Sequence, residues 1–396
     1  MRLHNPTDRA ALARAVADSV VLEADSGAQA ANPYYWHRAR GQLAVMFDEI
    51  DAYGDADLSA AVHELRNDPR SVTGWQRVRD LVTTAIEDVE AGTEDLTGAA
   101  WEVVRTSRLG YHVGAEYDRS AVADAAWRSW PPTQPQPSAT EPLVHVVIPF
   151  RDRTDQGERA RNLMACLVAL NDQTMERSQY RVTVVESDDA PRWRGQIKRH
   201  ADEYLFAPKT GAFNKCWTVN VGVINASQPA PIVCILDADA LVDQDFVRRN
   251  TQRFLRDGTG ALLPFRDLFY LDEPASARAI SDRCVARCPD MDPRRLRGFL
   301  VHRAPGVCIW LRRDVFDAVN GMDERFEGWG REDIDFVLRV QLATTFDLYD
   351  DPMLHLHHPS TAQLDNGHTV NADIPLLSWT PETAIGLAGR FFDQSS

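Results

Sequence analysis

Three short and almost wholly apolar runs lie between residues 143 and 236, and residues with a helical pattern separate them. The runs are Leu143–Phe150 (LVHVVIPF), Arg181–Glu186 (RVTVVE) and Ile232–Leu236 (IVCIL). Strands that are apolar on both faces are typical of parallel sheets covered by helices on each side. The sequence therefore predicts an α/β domain with a Rossmann-like, mostly parallel sheet flanked by helices. The further elements expected there are helices at Glu158–Leu170 and Phe213–Asn225 and a short strand at Tyr204–Phe206.

Polar residues follow each apolar run directly. They are Arg151-Asp152-Arg153, Asp188-Asp189 and Asp237-Ala238-Asp239. Ligands of open α/β sheets bind beyond the carboxyl ends of the strands. We therefore expect a binding site at the edge of the sheet where these three groups meet.

Residues 1–130 have the pattern of an all-α domain, with apolar residues at helical spacing and no set that looks catalytic. The expected helices are Ala10–Leu22, Tyr34–Tyr53, Val72–Val89, Asp95–Arg105 and Asp118–Trp130. Such a domain could bind an acceptor, mediate oligomerisation or support its neighbour, and the sequence leaves all three open. Residues 131–142 are rich in proline and predict an extended linker, so the α/β domain would occupy residues 143–396.

Charge and composition disfavour several classes of function. The chain has 43 Lys+Arg against 58 Asp+Glu, a net charge of -15. This balance disfavours a broad nucleic-acid or anionic-membrane surface but leaves room for a local basic groove. We find neither a signal-peptide core nor an apolar window of transmembrane length. The six cysteines are scattered and lie mostly in apolar runs, as reduced cysteines do. These features predict a cytoplasmic protein.

Two stretches contain side chains that bind metals. Asp239 belongs to the acidic triplet after the third strand, and carboxylate oxygens suit hard divalent cations that also contact nucleotide phosphates. His355 and His358 stand three residues apart in LHLHHP, and imidazole suits Mn²⁺ and related metals. A strand-end turn and a surface histidine cluster are the structural alternatives. Two half-sites in one chain favour a divalent metal site.

Basic and aromatic residues near two of these elements could bind a nucleotide. Arg151 and Arg153 could pair with phosphate, and Phe150 could stack on a base. Lys215 would add a positive charge at the start of a helix, whose N-terminus also favours anions. A solvated loop and a capped helix explain these residues equally well when each is taken alone.

The segment Asn320–Phe336 reads NGMDERFEGWGREDIDF. Its three glycines surround Trp329, and glycine at that density marks a turn with positive φ or a close approach to a ligand. Glu332 and Asp333 stand where a helix would begin, a position that favours carboxylates. The segment is therefore either a capped helix after a glycine turn or a carboxylate held beside a mobile aromatic residue.

Five motifs, in this order, resemble the β-1,4-galactosyltransferase family of metal-dependent GT-A glycosyltransferases. They are IPFRDR, FNKCWTVNVG, LDADALVDQDF, PGVCIWLRRDVFDAVNGMDERFEGWGREDIDF and HLHH. The chain is also similar to polypeptide N-acetylgalactosaminyltransferase and chondroitin-polymerase domains. The resemblance covers about Leu143 to Pro359, and the helical N-terminal part lies outside it. It implies a GT-A fold and a glycosyltransferase activity.

The resemblance also implies a role for each matching residue. The nucleotide-binding positions are Pro149, Phe150, Arg151, Arg153, Phe213, Lys215 and Asp237. The metal positions are Asp239, His355 and His358, with Asp237 as a further possible ligand. The substrate and closing-loop positions are Trp329, Gly330, Arg303 and Gly306. In the catalytic pair, Asp333 is the general base and Glu332 faces the acceptor.

Two positions depart from the family pattern. Arg303 stands where the family has an aromatic residue beside the donor sugar, so a galactose donor is in doubt. An arginine there could accommodate an acidic or differently substituted sugar, and the alternative is that it points to solvent. His355 occupies a position where galactosyltransferases can use a methionine thioether, and a second imidazole changes the expected metal preference.

The implied reaction is the inverting transfer of a sugar from a uridine diphosphate (UDP) donor to a hydroxyl acceptor, with Mn²⁺ or another divalent cation such as Mg²⁺. We expect a saccharide acceptor. The net charge of the chain disfavours a nucleic-acid acceptor but does not exclude one. The alternatives are a retaining N-acetylgalactosaminyl-type transferase, a nucleotide-sugar hydrolase and a non-catalytic sugar-nucleotide-binding domain. We also expect His358–Pro375 to be a lid that orders when donor and metal bind, and Leu376–Phe392 to form a short helix. The oligomeric state stays open.

Overall fold

A computed structural model of the protein describes residues 8–87, 92–123, 125–132, 141–256, 258–360, 364–365 and 368–391. The chain divides into two compact units. The first unit comprises Met1–Ala121, Leu268–Arg278 and Asp292–Arg303, and the second comprises Val122–Asp267, Ala279–Met291 and Ala304–Ser396. Most of the predicted linker lies outside the described residues, since 133–140 are not among them.

The helices of the described chain are α1 (Arg9–Ala24), α2 (Ser26–Ala31), α3 (Pro33–Tyr53), α4 (Ala56–Asn67), α5 (Val72–Glu87), α6 (Glu94–Thr106), α7 (Glu158–Asn171), α8 (Arg194–Ile197), α9 (Lys215–Ile224), α10 (Phe246–Phe254), α11 (Glu273–Ile280), α12 (Arg313–Ala318) and α13 (Glu332–Ala343). The strands are β1 (Leu109–Val113), β2 (Val144–Phe150), β3 (Tyr180–Glu186), β4 (Glu203–Phe206), β5 (Ile232–Leu236), β6 (Ala240–Leu241), β7 (Ala261–Leu263), β8 (Asp267–Leu271), β9 (Arg297–His302), β10 (Cys308–Arg312), β11 (Phe346–Leu348), β12 (Met353–His355), β13 (Leu364–Asp365) and β14 (His368–Thr369).

Helix α1 is the centre of the first unit. It is buried almost continuously from Leu12 to Leu22 and packs against α3, α4, α5 and α6. The helix ends follow from their capping residues. The Ala11 N–H donates to the carboxylate of Asp8 at the start of α1, and α3 begins at a proline after Asn32, which accepts from the Tyr35 N–H. Both are N-cap arrangements that satisfy otherwise unpaired amides.

Most of the predicted N-terminal helices are present. Helices α1, α3 and α6 match their predicted spans within two residues; α5 is described as far as Glu87, and the predicted residues 88–89 lie outside the described part. The helix expected at Asp118–Trp130 is wrong. The side chain of Asp118 accepts from the N–H and hydroxyl of Ser120 and forms a turn, and only a short 3₁₀ helix, Ala125–Ser129, follows. The sequence did not predict α4 or β1.

The first unit also contains sheet. Strand β1 pairs antiparallel with β9, with Leu109 opposite Val301 and Val113 opposite Arg297. Arg297 is 1% exposed, and its guanidinium donates to the carboxylates of Asp25 and Asp272 and to the hydroxyl of Tyr111. A buried charge persists only when paired in this way, so the paired residues fix segment 292–303 within the first unit.

The second unit is built on a seven-stranded sheet with the order β11-β7-β10-β5-β2-β3-β4. Strands β5, β2, β3 and β4 are parallel, and β10 runs antiparallel between β5 and β7. The predicted mostly parallel sheet is therefore confirmed. Helix α9 covers one face, and its Gly222 permits close packing, because a Cβ there would lie 2.5 Å from Val147 Cγ1 and 2.9 Å from Val185 Cγ2.

The helix predicted for Leu376–Phe392 is wrong, because the described residues 376–391 form turns and bends. Side chains of the α9 region bind the backbone of this segment and replace the hydrogen bonds of a helix. Trp217 Nε1 donates to the Leu387 carbonyl at 3.0 Å, and Asn225 Nδ2 donates to the Gly386 carbonyl at 2.8 Å. Gly386 also has a φ of 68°, which a helix cannot contain.

Candidate active site

Asp239, His355 and His358 come together at the end of β5. Strands β6 and β12 pair antiparallel with Ala240 opposite His355, and this register sets His355 beside the acidic triplet. His355 Nε2 lies 3.5 Å from Asp239 Oδ1, and His358 Nε2 lies 3.0 Å from Asp239 Oδ2. One ligand atom from each residue lies within 4.8 Å of the others. The predicted metal half-sites therefore form one cluster.

The electrostatics of this cluster suit a cation. Burial would raise the pKa of Asp239, but the two histidines outweigh it and hold the pKa well below its ordinary value. Burial lowers the pKa of His355 to about 4, against the opposing effect of Asp239, so its imidazole is neutral at pH 7. Asp239 Oδ1 is buried and accepts no hydrogen bond from the described residues. A carboxylate beside two imidazole side chains fits a divalent cation of the Mn²⁺ type.

Three side chains of helix α7 donate hydrogen bonds to backbone carbonyls on either side of His358. Arg161 Nη2 and Asn162 Nδ2 donate to the His357 carbonyl at 3.2 and 3.1 Å, and Arg159 Nη2 donates to the Pro359 carbonyl at 3.2 Å. The sequence interpretation treated α7 only as a covering helix and missed these contacts. Polar side chains in a helix otherwise full of buried apolar residues were the signal that could have revealed them.

Lys215 joins two carboxylates that are far apart in the chain. Its Nζ lies 2.9 Å from Asp237 Oδ2, 3.0 Å from Asp333 Oδ1 and 3.2 Å from Asp333 Oδ2. Burial opposes the ammonium charge, but the two carboxylates outweigh it and raise the pKa of Lys215 well above its ordinary value. Burial, with Asp333 and Asp239 nearby, raises the pKa of Asp237 to about 7. A nucleotide candidate and a catalytic candidate thus share one cation.

Gly306 leaves the space in which the Asp333 side chain lies. A Cβ at Gly306 would stand 2.1 Å from Asp333 Oδ2, a distance that no side chain allows. The next residue, Val307, has a φ of 79°, which is rare for a β-branched residue. Its carbonyl accepts from the Asp237 N–H at 2.8 Å. The Gly306 segment therefore borders the Asp333 carboxylate and is bonded to the backbone of Asp237, the other residue that binds Lys215.

Glu332 is the first residue of α13 and lies beside Asp333 in the chain. It is 9% exposed, and its Oε2 accepts no hydrogen bond from the described residues. Burial first, and then the Asp333 charge, raise the pKa of Glu332 to about 7. The predicted helix start at this point is confirmed.

The nucleotide candidates of the first strand differ in their surroundings. Phe150 is 1% exposed and belongs to the buried strand β2, as does Pro149, so the Phe150 ring has no free face. Arg151 donates to the carbonyls of Ser187, Lys209 and Gly211.

Phe213 and Arg153 are two further candidates for nucleotide binding. The Arg151 guanidinium lies 5.2 Å from the centre of the Phe213 ring. Arg153 Nε donates to Asp188 Oδ1 at 2.6 Å, and Arg153 keeps 40% of its side chain exposed. Arg153 is therefore the more accessible of the two arginines.

The loop around Trp329 has the backbone that its glycines predicted. Gly321, Gly328 and Gly330 have φ values of 59°, 74° and 108°. A Cβ at Gly330 would also lie 2.6 Å from Thr369 Cγ2. Trp329 itself is half-buried.

The chain after β14 is bonded to this loop. Asn371 Nδ2 donates to the Gly330 carbonyl at 2.9 Å, and the Glu327 N–H donates to Asn371 Oδ1 at 3.4 Å. Arg331 Nη1 donates to the Asn371 carbonyl at 3.2 Å. Part of the lid expected at His358–Pro375 lies outside the described residues, because 361–363 and 366–367 are not among them, and its ordering stays a prediction.

Arg303 is the one substrate candidate that belongs to the first unit. It follows β9, has a φ of 56° and carries an exposed side chain. Its carbonyl accepts from Arg108 Nη2. The remaining candidates all lie in the second unit.

Two family models match parts of the chain between residues 145 and 349. Residues 145–319 match the model of glycosyl transferase family 2. Residues 302–349 match the model described as the N-terminal domain of galactosyltransferase. The chain carries a glycosyltransferase domain. The resemblance drawn from the five motifs and the GT-A fold class are therefore confirmed, and the reaction class of the domain is glycosyl transfer.

Several solved structures are similar to the glycosyltransferase chain. The catalytic domain of Drosophila β1,4-galactosyltransferase 7 in complex with xylobiose is 18% identical, with 57% of this chain and 76% of that chain covered and a TM-score of 0.32. The mannosyltransferase PcManGT from Pyrobaculum calidifontis, with GDP-Man and Mn²⁺, is 18% identical, with 58% and 61% covered and a TM-score of 0.36. Residues 1–349 of S. aureus TarS are 12% identical, with 54% and 60% covered and a TM-score of 0.38. The match thus spans less than two thirds of the last two relatives.

No curated protein matches the glycosyltransferase chain. Among the described residues, no helix is both long enough and apolar enough to cross a membrane.

Proposed function

We propose that the protein transfers a sugar, with inversion, from a UDP-sugar to a hydroxyl of a saccharide acceptor, that the reaction depends on a divalent cation, and that Asp333 is the general base. The observation that carries this proposal is the position of Lys215 between Asp237 and Asp333. Asp237 stands two residues before Asp239, so the donor-binding and base-carrying parts of the site meet at one lysine.

Asp239, His355 and His358 would hold the cation, with Asp237 as a further possible ligand. A bound Mn²⁺, or another divalent cation such as Mg²⁺, neutralises negative charge on the diphosphate leaving group. The orphaned Asp239 Oδ1 supports this assignment, since a buried carboxylate oxygen otherwise has a hydrogen-bond donor. Arg161 and Asn162 would keep His358 in position through the His357 carbonyl.

Lys215 would exchange one anion for another when the donor binds. The diphosphate would attract the ammonium group from Asp333, which leaves that carboxylate with an unoccupied lone pair. Asp333 then takes the acceptor hydroxyl proton while the acceptor oxygen bonds to the anomeric carbon. The bond from that carbon to the diphosphate oxygen breaks, and its electron pair leaves with the nucleoside diphosphate. One in-line displacement inverts the anomeric configuration, and Glu332 would orient the acceptor beside the base.

The remaining candidates complete the donor site in this proposal. Arg153 would pair with the donor through its exposed guanidinium. Arg151 would hold the loop of Lys209 and Gly211 by donating to the backbone carbonyls of these two residues. This would place Phe213 beside the nucleobase of the donor. Pro149 and Phe150 would shape the floor of this pocket from within β2. Trp329 and Gly330 would close over the donor, while Gly306 gives Asp333 its place.

Donor screening provides the most direct test. UDP- and guanosine-diphosphate sugars should be incubated with the protein in the presence of Mn²⁺, Mg²⁺ or a chelator, and free nucleoside diphosphate and thermal stabilisation measured. The proposal expects release and stabilisation with a UDP-sugar only when a divalent cation is present. Metal-independent release, or stabilisation by guanosine compounds alone, would contradict it. With a competent acceptor, proton coupling at the anomeric carbon of the product distinguishes inversion from retention.

A further inference from the structure

Three arginines and two tyrosines form a surface cluster on the first unit, which we call the Arg/Tyr surface. Its members are Tyr34, Tyr35, Arg38, Arg108 and Arg303. The tyrosines lie in the first turn of α3, Arg38 follows one turn later, Arg108 precedes β1 and Arg303 follows β9. Neither the metal cluster nor the proposed catalytic residues use these side chains.

The geometry joins each tyrosine to one arginine. The Tyr34 and Tyr35 rings meet edge to face with centres 5.4 Å apart. Arg38 lies 5.5 Å from the Tyr34 ring centre and donates to the Tyr34 hydroxyl at 3.3 Å. Arg108 lies 4.8 Å from the Tyr35 ring centre and donates to the Tyr35 hydroxyl at 3.4 Å. Each hydroxyl accepts a hydrogen bond and still has its own hydrogen to donate.

Backbone contacts bring the third arginine to the same surface. Arg108 Nε donates to the His302 carbonyl at 2.7 Å, and Arg108 Nη2 donates to the Arg303 carbonyl. Burial lowers the pKa of Arg108 from its ordinary value, and the positive charge of Arg303 acts in the same direction. The charges of Arg108 and Arg303 therefore lie close enough to act on each other.

Within the described ranges, no ion pair joins Arg38, Arg108 or Arg303 to a carboxylate. Five other arginines of the same unit do have carboxylate partners at 2.7 to 3.3 Å, namely Arg66, Arg77, Arg79, Arg105 and Arg119. In a chain with a net charge of -15, three adjacent arginines that lack such partners mark a place for an external anion.

The chemistry selects an anionic saccharide among anions. Guanidinium groups bind carboxylate and phosphate through paired N–H donors, and tyrosine offers an apolar ring edge together with a hydroxyl donor. A sugar that bears an acidic group presents C–H faces, hydroxyls and one anion in a small volume.

We propose that the Arg/Tyr surface binds an anionic saccharide through a uronate carboxylate or a phosphate. The binding of an anionic saccharide itself rests on the Arg/Tyr surface alone.

Calorimetric binding to the full chain at low ionic strength tests the proposal. The probes are a galacturonate hexamer, a glycerol-phosphate oligomer, neutral maltohexaose and an eight-nucleotide oligothymidylate. The variants are Arg38→Gln, Arg303→Gln and their combination, with Arg105→Gln as the matched control because it removes an exposed arginine that is paired with Glu102. Both test side chains are exposed, and thermal melting verifies that the variants fold.

We expect one anionic saccharide probe to bind the unmodified chain. Each single variant should lower its affinity about tenfold, and the double variant should lower it further. The affinity of the Arg105→Gln control should stay within about twofold of that of the unmodified chain. The stronger of the two anionic probes identifies carboxylate or phosphate as the group recognised. The proposal is overturned if neither probe binds, if maltohexaose binds equally well, if the double variant binds normally, or if oligothymidylate binds more tightly.

Donor binding separates this inference from the proposed function. The Arg38→Gln variant should bind UDP with Mn²⁺ as the unmodified chain does. If the unmodified chain binds no UDP but the galacturonate or glycerol-phosphate probe still depends on the two arginines, the proposed reaction fails and the surface remains a saccharide-binding site. If UDP binds and neither anionic probe does, the surface assignment fails and the reaction stands.

Discussion

Lys215 Nζ lies 3.0 Å from Asp333 Oδ1, although the two residues are 118 positions apart in the chain. The same ammonium group contacts Asp237, so the proposed base is neutralised by a cation that also faces the acidic triplet. The ammonium group therefore occupies a lone pair on each oxygen of the proposed base. The arrival of the donor diphosphate would supply the competing anion.

Replacement of Lys215 by methionine should weaken UDP binding and abolish most transfer, because the diphosphate loses a charge-assisted contact. We expect at least a tenfold loss in UDP affinity, since hydrogen bonds to charged groups contribute about 1.5–3 kcal/mol. Calorimetry with Mn²⁺ present measures the affinity. Lys198→Met is the control, because Lys198 lies over the Tyr204 ring outside this site. Equal affinities for the two variants would disprove the role of Lys215.

Asp333→Asn should separate donor binding from turnover. The amide cannot accept the acceptor proton, and general-base catalysis contributes about 10²–10⁴-fold, so the transfer rate should fall by that order. UDP affinity should stay the same or rise, since Lys215 loses a competing carboxylate. Rates come from a product assay, and affinities come from calorimetry. The exposed Asp314→Asn is the control, and a near-normal rate for Asp333→Asn would mean that another group is the base.

Gly306→Ala should displace Asp333, because the added methyl group would stand 2.1 Å from its Oδ2. We expect a loss of transfer comparable with that of Asp333→Asn, with Mn²⁺ binding retained, since Asp239 and the two histidines are untouched. Gly195→Ala is the matched control, as a Cβ at Gly195 meets no atom within 4 Å. Steady-state rates and calorimetric Mn²⁺ affinities for both variants decide the matter. Full activity of Gly306→Ala would show that the Asp333 side chain keeps a working position despite the added methyl group.

Neighbouring histidines permit a sharp test of the metal cluster. His358→Ala and Asp239→Ala should abolish the increase in UDP affinity that Mn²⁺ causes, because each removes a ligand. His357→Ala should leave it unchanged, since the His357 side chain is exposed and does not belong to the cluster of Asp239, His355 and His358. UDP calorimetry with Mn²⁺ and with a chelator provides the comparison. A metal effect that survives in Asp239→Ala would rule out this cluster as the cation site.

Glu332 should make stability depend on pH. Its pKa is raised from 4.5 to about 7, mainly by burial, so the folded state holds the proton more tightly than the unfolded state. The stabilising contribution is complete below pH 4.5 and is lost as the pH rises through 7. Glu332→Gln cannot ionise, and its Tm should exceed that of the unmodified chain by roughly 2–4 °C or more at pH 8.

The difference in Tm between these two proteins should shrink towards pH 4.5. Thermal unfolding of chelated samples at pH 5 and pH 8 measures it. Glu102→Gln, at an exposed position of α6, should show no such trend. A Glu332→Gln difference that is constant with pH would contradict the burial of an ionisable carboxyl at this position.

Local patterns predicted the parts of the fold that local interactions determine. The strands β2, β3 and β5 are mostly apolar and were located within one residue of their observed bounds. The positive φ values of Gly328 and Gly330 followed from glycine spacing around Trp329. The helix predicted for Leu376–Phe392 failed because distant side chains, such as Trp217, bind that backbone.

Contacts between distant residues account for what the sequence did not show. Spacing alone cannot show that Lys215 binds Asp333, nor that Gly306 lies against the Asp333 carboxylate. The motifs indicated which residues belong to a site but not which of them touch. The Arg/Tyr surface is similar, because α3, β9 and the residues before β1 are brought together only by the fold.

Asn371 and Arg331 fasten the Trp329 loop to the chain that follows β14. Since the same hydrogen bonds hold both segments, neither can leave its place without releasing the other. The two segments, some forty positions apart, would therefore open together, with a single opening rate constant. Donor entry and product release would both depend on this rate constant. A cut or deletion in the later segment should therefore change the rates of both steps.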